Sequence, residues 1–383
     1  MNLWDVRPAL PPPHSTHGLP RRDFIKVITM AAASVGLSST AASRIVQAAS
    51  KGLKPSVIWL HFQECTGCTE SLLRTAHPAL SELILDMISL DYHETLFAAA
   101  GYQAEAALKT AMTQGAGKYI CIVEGAIPTK DNGIYCKIAG RTAMDLLADV
   151  GGNAGAVIAI GSCASWGGIP SADPNPTGAV GVPALLKNKP VVTLPGCPAN
   201  PYNLLGVVLQ YAALGTLPAL DAKGRPLFAY TRTIHEDCPR RAHFDAGRFA
   251  QQFGDEGHRQ GHCLYKLGCK GPETHANCSL VGFGEVGAWP IGIGHPCFGC
   301  TEEKLAFRVP LHQTVDIERP MPPDTYPPVH ADHRHISPLA TGVAGLAGGA
   351  ILTAGYLASK KMGGNTPAPE TTIRRTDPAR KEG

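Results

Sequence analysis

Short apolar runs recur along the first two thirds of the chain, each followed by a longer mixed stretch. Val57-Ile58-Trp59-Leu60, Tyr119-Ile120-Cys121-Ile122-Val123, Ala156-Val157-Ile158-Ala159-Ile160 and Pro190-Val191-Val192-Thr193-Leu194 are continuous rather than alternating. A strand that is apolar at nearly every position is covered on both faces, as in a parallel sheet sandwiched between helices. Helical segments are predicted between them: Glu70–Leu73 with a second piece running to Ile88 after Pro78, Thr142–Ala148 and Asn203–Leu214. The alternation predicts an α/β fold, a doubly wound parallel sheet over residues 54–230. After Tyr230 the pattern dissolves into Gly, His, Cys and Pro, so residues 231–317 read as a separate, irregular domain.

Both ends read as targeting segments. Pro20-Arg21-Arg22-Asp23-Phe24-Ile25-Lys26 precedes a small apolar stretch from Val27 to Ala42. A basic start, a moderate apolar segment and small residues at its end describe a cleavable export signal over residues 1–43. The paired arginines make it a twin-arginine (Tat) signal, whose translocon carries proteins that have already folded. At the other end, Ile336–Ser359 holds 24 residues without Asp, Glu, Lys or Arg. At about 1.5 Å per residue such a helix spans a hydrocarbon core of roughly 30 Å. Lys360, Lys361, Arg374 and Arg375 follow, which predicts a single-pass transmembrane anchor at 336–359 with a cytoplasmic tail at 360–383. The body would then sit on the periplasmic side of the inner membrane. The proline-rich residues 318–335 read as a linker.

Composition narrows the function classes. Only 17% of the 383 residues are charged, below the roughly 25% of ordinary soluble domains, so a partner or lipid is expected to cover much of the surface. The formal charge of +3 gives no broad basic field, which argues against nucleic acid as a partner. Twelve cysteines are too sparse for a disulfide scaffold and too many for casual core use.

Their positions supply the reason. Cys65 and Cys68 follow the first apolar run, Cys163 the third and Cys197 the fourth. Carboxyl ends of parallel strands converge on the ligand crevice, so four thiols meet there, a set suited to a [4Fe–4S] cluster or a structural zinc. In the second region His235 and Cys238 share a two-residue spacing and stand with Cys263 and Cys269 as a second four-ligand set. Cys278, Cys297 and Cys300 form a third set with no fourth thiol, which points to a three-iron cluster or to a ligand elsewhere; Pro290 between them offers none. Mid-strand Cys121 reads as a small core residue, and Cys136 has no assigned role.

At these residues the chain resembles the small subunit of [NiFe] hydrogenases, of the exported, membrane-anchored uptake type. The resemblance runs through RRDFIK, ECTGCTESLLR, VEGAIPTKDNGIYC, AIGSCASWGG, NPTGAV, LPGCPANP, CLYKLGCKGPET and WPIGIGHPCFGC. It implies a flavodoxin-like first domain and three clusters. Cys65, Cys68, Cys163 and Cys197 would hold a proximal [4Fe–4S] cluster. Cys278, Cys297 and Cys300 would hold a medial [3Fe–4S] cluster, and His235, Cys238, Cys263 and Cys269 a distal [4Fe–4S] cluster. The nickel–iron centre would lie in a separate large subunit, the heterodimeric partner, leaving no catalytic residue on this chain. Electrons from H2 would pass to a membrane-bound acceptor, a cytochrome b or iron–sulfur subunit linked to quinone. Gly67 and Gly168 stand where oxygen-tolerant relatives carry extra cysteines, which implies the oxygen-sensitive kind. His93 and Glu94 are placed at the subunit interface, and the distal histidine at an exposed exit point.

Three other readings remain. A single-cluster subunit of another quinone-linked complex leaves the six later cysteines and His235 without purpose. A zinc-stabilised exported binding protein differs in metal content. An H2 sensor of the same two-subunit build typically lacks an export signal and an anchor.

Overall fold

The computed structural model describes residues 54–75, 88–283 and 288–318. The export signal, the second helical piece expected before Ile88, almost all of the linker, the anchor and the tail lie outside the described residues. Among the described residues no helix is long and apolar enough to cross a membrane.

Five strands form one parallel sheet: β1 (Ser56–His61), β2 (Ser89–His93), β3 (Ile120–Glu124), β4 (Ala156–Ile160) and β5 (Val191–Leu194), in the order β2-β1-β3-β4-β5. That is the flavodoxin-like order, in which the chain winds one way from β1 to β2 and the other way from β1 to β3. The central strands are in simple register, Val57–His61 against Ile120–Glu124 and Ile120–Glu124 against Ala156–Ile160. Helices α1 (Gly67–Leu73), α2 (Tyr102–Gln114), α3 (Ala143–Leu146, continuing as a wider turn to Gly151), α4 (Gly161–Trp166) and α5 (Pro201–Leu214) connect them. One apolar cluster packs Leu204, Leu205, Val207 and Val208 of α5 on Trp59, Ile122 and Ile158. A second packs Leu108, Leu146, Leu147 and Val150 on Ile58, Cys121 and Val157. Both faces of the sheet are therefore dry, as the continuous apolar runs require. Cys121 is fully buried within β3, and Cys136 packs against the second cluster.

Helix ends follow their sequence signals. Thr142 accepts from Asp145 N at 3.2 Å while the Asp145 carboxylate reaches back to Thr142 N, a capping box at α3. Asn200 caps α5 at 2.9 Å, Pro201 opens the helix, and Gly215 ends it in the left-handed region. Two elements carry weaker signals. Strand β2 lies at the sheet edge and has polar Ser89 and Asp91, so no continuous run marks it. Helix α2 buries only Leu108 and Ala111, too few for a visible stripe.

Beyond Tyr230 the described chain adds no strand to the sheet, and its longest helical piece is Arg241–Asp245. Its apolar cluster is small: Ile234, Ala250, Leu264, Leu267, Ala276 and Ile291 with Cys269 and Cys297. Polar ties fasten it to the carboxyl end of the sheet. Ser162 Oγ donates to Cys300 O at 2.5 Å, and the Asn203 and Asn277 side chains exchange hydrogen bonds. Buried Arg225 donates to Asp221 and Glu302, both at 2.7 Å, and Lys223 reaches Glu302 at 2.5 Å. Burial alone would raise the Glu302 carboxyl; hydrogen bonds from His275 and Lys223 and the Arg225 charge hold it down, to about 2. The loop that carries Lys223 and Arg225 also covers the outer edge of β5, where Thr193 N donates to Gly224 O at 2.8 Å.

Candidate functional site

The strand ends deliver the first thiol group. Cys65 and Cys68 lie on the turn and first residues of α1 after β1, Cys163 in α4 after β4, and Cys197 just after β5. The turn into α1 uses Thr66 in the left-handed region, φ 61, a strain of about 1–3 kcal/mol of the kind found at ligand sites. The four thiols share one crevice: Cys68 feels the charges of Cys163 and Cys197, and Cys65 acts on both of the latter. Glycines give the sulfurs room. A Cβ at Gly161 would stand 2.6 Å from Cys68 Sγ, one at Gly168 2.7 Å from Cys163 Sγ, and one at Gly67 3.1 Å from Cys65 Sγ. Cys65 is exposed, so the crevice is open on one side.

The second set lines a small cavity formed by His235, Cys238, Cys263 and Cys269 with apolar Leu264, Pro272 and Ile291. Burial, then the Arg241 charge, lowers the His235 imidazole to about 4, so it is neutral and free to ligate at physiological pH. The ring is buried and packs edge-on against Phe244 at 4.5 Å between centroids, rather than standing exposed as its expected role at an exit point suggested. Cys278, Cys297 and Cys300 form the third set, linked pairwise by their charges. This third set lies between the other two. Cys300 feels Cys197 of the first group, and Cys297 feels Cys269 of the second.

Burial pushes these thiols up, Cys163, Cys238 and Cys278 to about 12 and Cys263 to about 11, with neighbouring thiolates adding to the rise. Grouped thiolates of this kind become stable only against bound positive charge, so the donor set fits a soft metal or cluster. Among the described residues, the trio whose donor atoms all lie within 4.8 Å of one another is His61, Glu64 and Glu124.

Glu124 escaped the sequence reading. It ends β3 at the point where the strand order reverses, and it is 2% exposed. Its carboxylate accepts from Cys68 N at 3.0 Å, Thr69 N at 3.2 Å, Thr69 Oγ1 at 2.6 Å and Trp59 Nε1 at 3.2 Å. It therefore fixes the start of α1 and with it the Cys68 thiol. The available signal was an acidic residue closing an apolar strand before Gly125. His93 is fully buried against Trp59 and His61. Glu94, exposed, accepts from His61 N at 3.0 Å. Glu64 accepts from Thr66 Oγ1, and burial raises its carboxyl.

Fold and thiol groups together define a thiolate-rich α/β protein that handles soft metals. Comparisons with known proteins narrow the class. Residues 65–211 match the family described as NADH ubiquinone oxidoreductase, 20 Kd subunit, and residues 230–312 match the C-terminal family of the NiFe/NiFeSe hydrogenase small subunit. The chain is 49% identical over 352 residues to the Hydrogenase-2 small chain of Escherichia coli K12, covering 91% of this chain and 94% of that one. It is 47% identical over 287 residues to the Quinone-reactive Ni/Fe-hydrogenase small chain of Wolinella succinogenes, covering 74% and 81%. Its fold matches the recombinant [NiFeSe] hydrogenase of Desulfovibrio vulgaris Hildenborough with a TM-score of 0.63 at 35% identity, over 68% of this chain and 98% of that one. The chain belongs to the small subunits of [NiFe] hydrogenases. It is the electron-transfer subunit of an oxidoreductase whose H2-activating site lies on a large-subunit partner, and it carries iron–sulfur clusters. The first matched family alone would have allowed the single-cluster reading; the second accounts for the later cysteines.

Proposed function

We propose that the eleven donors hold three clusters in series. Cys65, Cys68, Cys163 and Cys197 would hold a proximal [4Fe–4S] cluster at the open crevice, facing the large subunit. Cys278, Cys297 and Cys300 would hold a medial [3Fe–4S] cluster, and His235, Cys238, Cys263 and Cys269 a distal [4Fe–4S] cluster. Once bound, the clusters supply one-electron carriers between H2 oxidation in the large subunit and a membrane acceptor. The chain's own part is positional. Residues 54–230 and 231–317 act as two domains, the first ending in the strand-end loops, the second laying the medial and distal ligands behind them. Ser162, bonded to both Gly196 and Cys300, couples the first ligand loops to the third set. Gly67 and Gly168 leave room beside the proximal sulfurs and add no ligand there, consistent with an oxygen-sensitive site.

The twin-arginine signal, the anchor at 336–359 and its basic tail support a periplasmic, membrane-bound placement after Tat export. The quinone-reactive relative supports an acceptor of the cytochrome b or iron–sulfur type that feeds quinone. The observation that carries the cluster reading is that Cys300 lies within electrostatic reach of Cys197 and Cys297 within reach of Cys269, which links the third set to each of the other two. Metal and acid-labile sulfide analysis of the anaerobic complex, with EPR of its oxidised form, tests it. About eleven irons on this chain and a three-iron signal are expected. Zinc without labile sulfide would refute the relay.

A further inference from the structure

Lys270 is among the largest side chains that are fully buried, at 0% exposure. It follows Cys269 in the chain, and its backbone N–H donates to Cys297 O at 2.7 Å. It thus stands where the second and third ligand sets meet. Its Nζ is caged by three carbonyls: Pro310 O and Leu311 O at 3.0 Å each and Gly268 O at 3.4 Å. Three acceptors match the three N–H donors of an ammonium, whereas a neutral amine would turn a lone pair on one of the carbonyls. No carboxylate is ion-paired with it among the described residues. Burial works against the ammonium, and the sulfurs of Cys297 and Cys269, as ligand thiolates, work for it. A buried charge persists only where something compensates it. Here carbonyl dipoles hold the ammonium, and the ligand sulfurs provide the opposite charge.

We propose that Lys270 is a positioning residue that sets the electron affinity of the medial and distal clusters together, as a fixed positive charge placed between their ligands. The proposal rests on the cluster assignment above. A fixed cation in a low-dielectric interior favours the more negative, reduced form of each neighbouring cluster, and its reach falls with distance. The proximal group, with no Lys270 contact, is spared.

The test is potentiometric EPR of the anaerobically purified complex carrying Lys270→Met, Lys270→Gln or Lys270→Arg, with iron content measured on each. The neutral variants should lower the medial and distal midpoint potentials and leave the proximal potential unchanged. Lys270→Arg should restore wild-type values, which a packing role alone would not produce. Unchanged potentials in an iron-loaded neutral variant, or equal shifts of all three clusters, would overturn the proposal. If Lys270→Met does not load iron, Lys270→Gln, which keeps an N–H donor for the carbonyls, is read in its place. Failure of both to load makes the residue a requirement of assembly and likewise overturns the tuning role. Absence of clusters from the wild-type complex would instead overturn the cluster assignment, so the two failures are distinct.

Discussion

The sheet region and the region after Tyr230 sit side by side but are held together differently. The first buries two extensive apolar clusters on opposite faces of five paired strands. The second has one small cluster, two of whose eight buried residues are ligand cysteines, and helical pieces of five residues or fewer. Apolar burial at about 25 cal/mol per Å2 can stabilise the first without help. The second lacks the area for that, so ligation has to close its loops, as in small domains that fold around a metal.

The sharpest way to break this contrast is to withhold iron. In iron-starved chain, amide exchange of residues 231–318 should speed up by about a hundredfold or more while β1, β3 and β4 stay protected. Equal loss of protection in both regions would show that the sheet also depends on its cluster. Next in size is the polar tie between them. Glu302→Ala leaves Arg225, 5% exposed, without one of its two carboxylates, and should cost about 3–5 kcal/mol in calorimetric or denaturant unfolding. A cost under about 1 kcal/mol would mean that the regions are joined by packing and ligands alone. The smallest effect is expected inside the first region. Glu124→Gln keeps the shape and removes the charge behind Cys68, so stability should fall by about 1–2 kcal/mol. The first cluster's midpoint potential should rise, with the other two unmoved in redox-monitored EPR.

The same contrast explains what was legible in the sequence. Strands β1, β3, β4 and β5 are apolar at nearly every position because both faces are covered, and the ligand cysteines stand out because they follow those strands. A strand before His93 was legible but weak, because β2 lies at the sheet edge, and helix α2 was hidden by shallow burial. In the second region the cysteines were readable as sets, since chain spacing limits which can meet. The roles of Glu124 and Lys270 were not, because each depends on partners brought in by tertiary structure. Glu124 meets backbone groups more than fifty residues away, and Lys270 meets the carbonyls of Pro310 and Leu311. The buried His235 ring belongs to the same kind, its burial arising from Phe244 in a fold with no regular pattern to announce it.

The loop over the outer edge of β5 carries one more consequence. Thr193 N and Oγ1 are occupied by Gly224 O and Lys223 O, and that loop is moored to Glu302 of the second region. A bare edge strand is a template for pairing with another chain. Cofactor supply and colloidal behaviour are therefore linked in this protein. A chain whose second region has not closed around its iron loses the mooring that shields β5, and it becomes a substrate for aggregation and proteolysis.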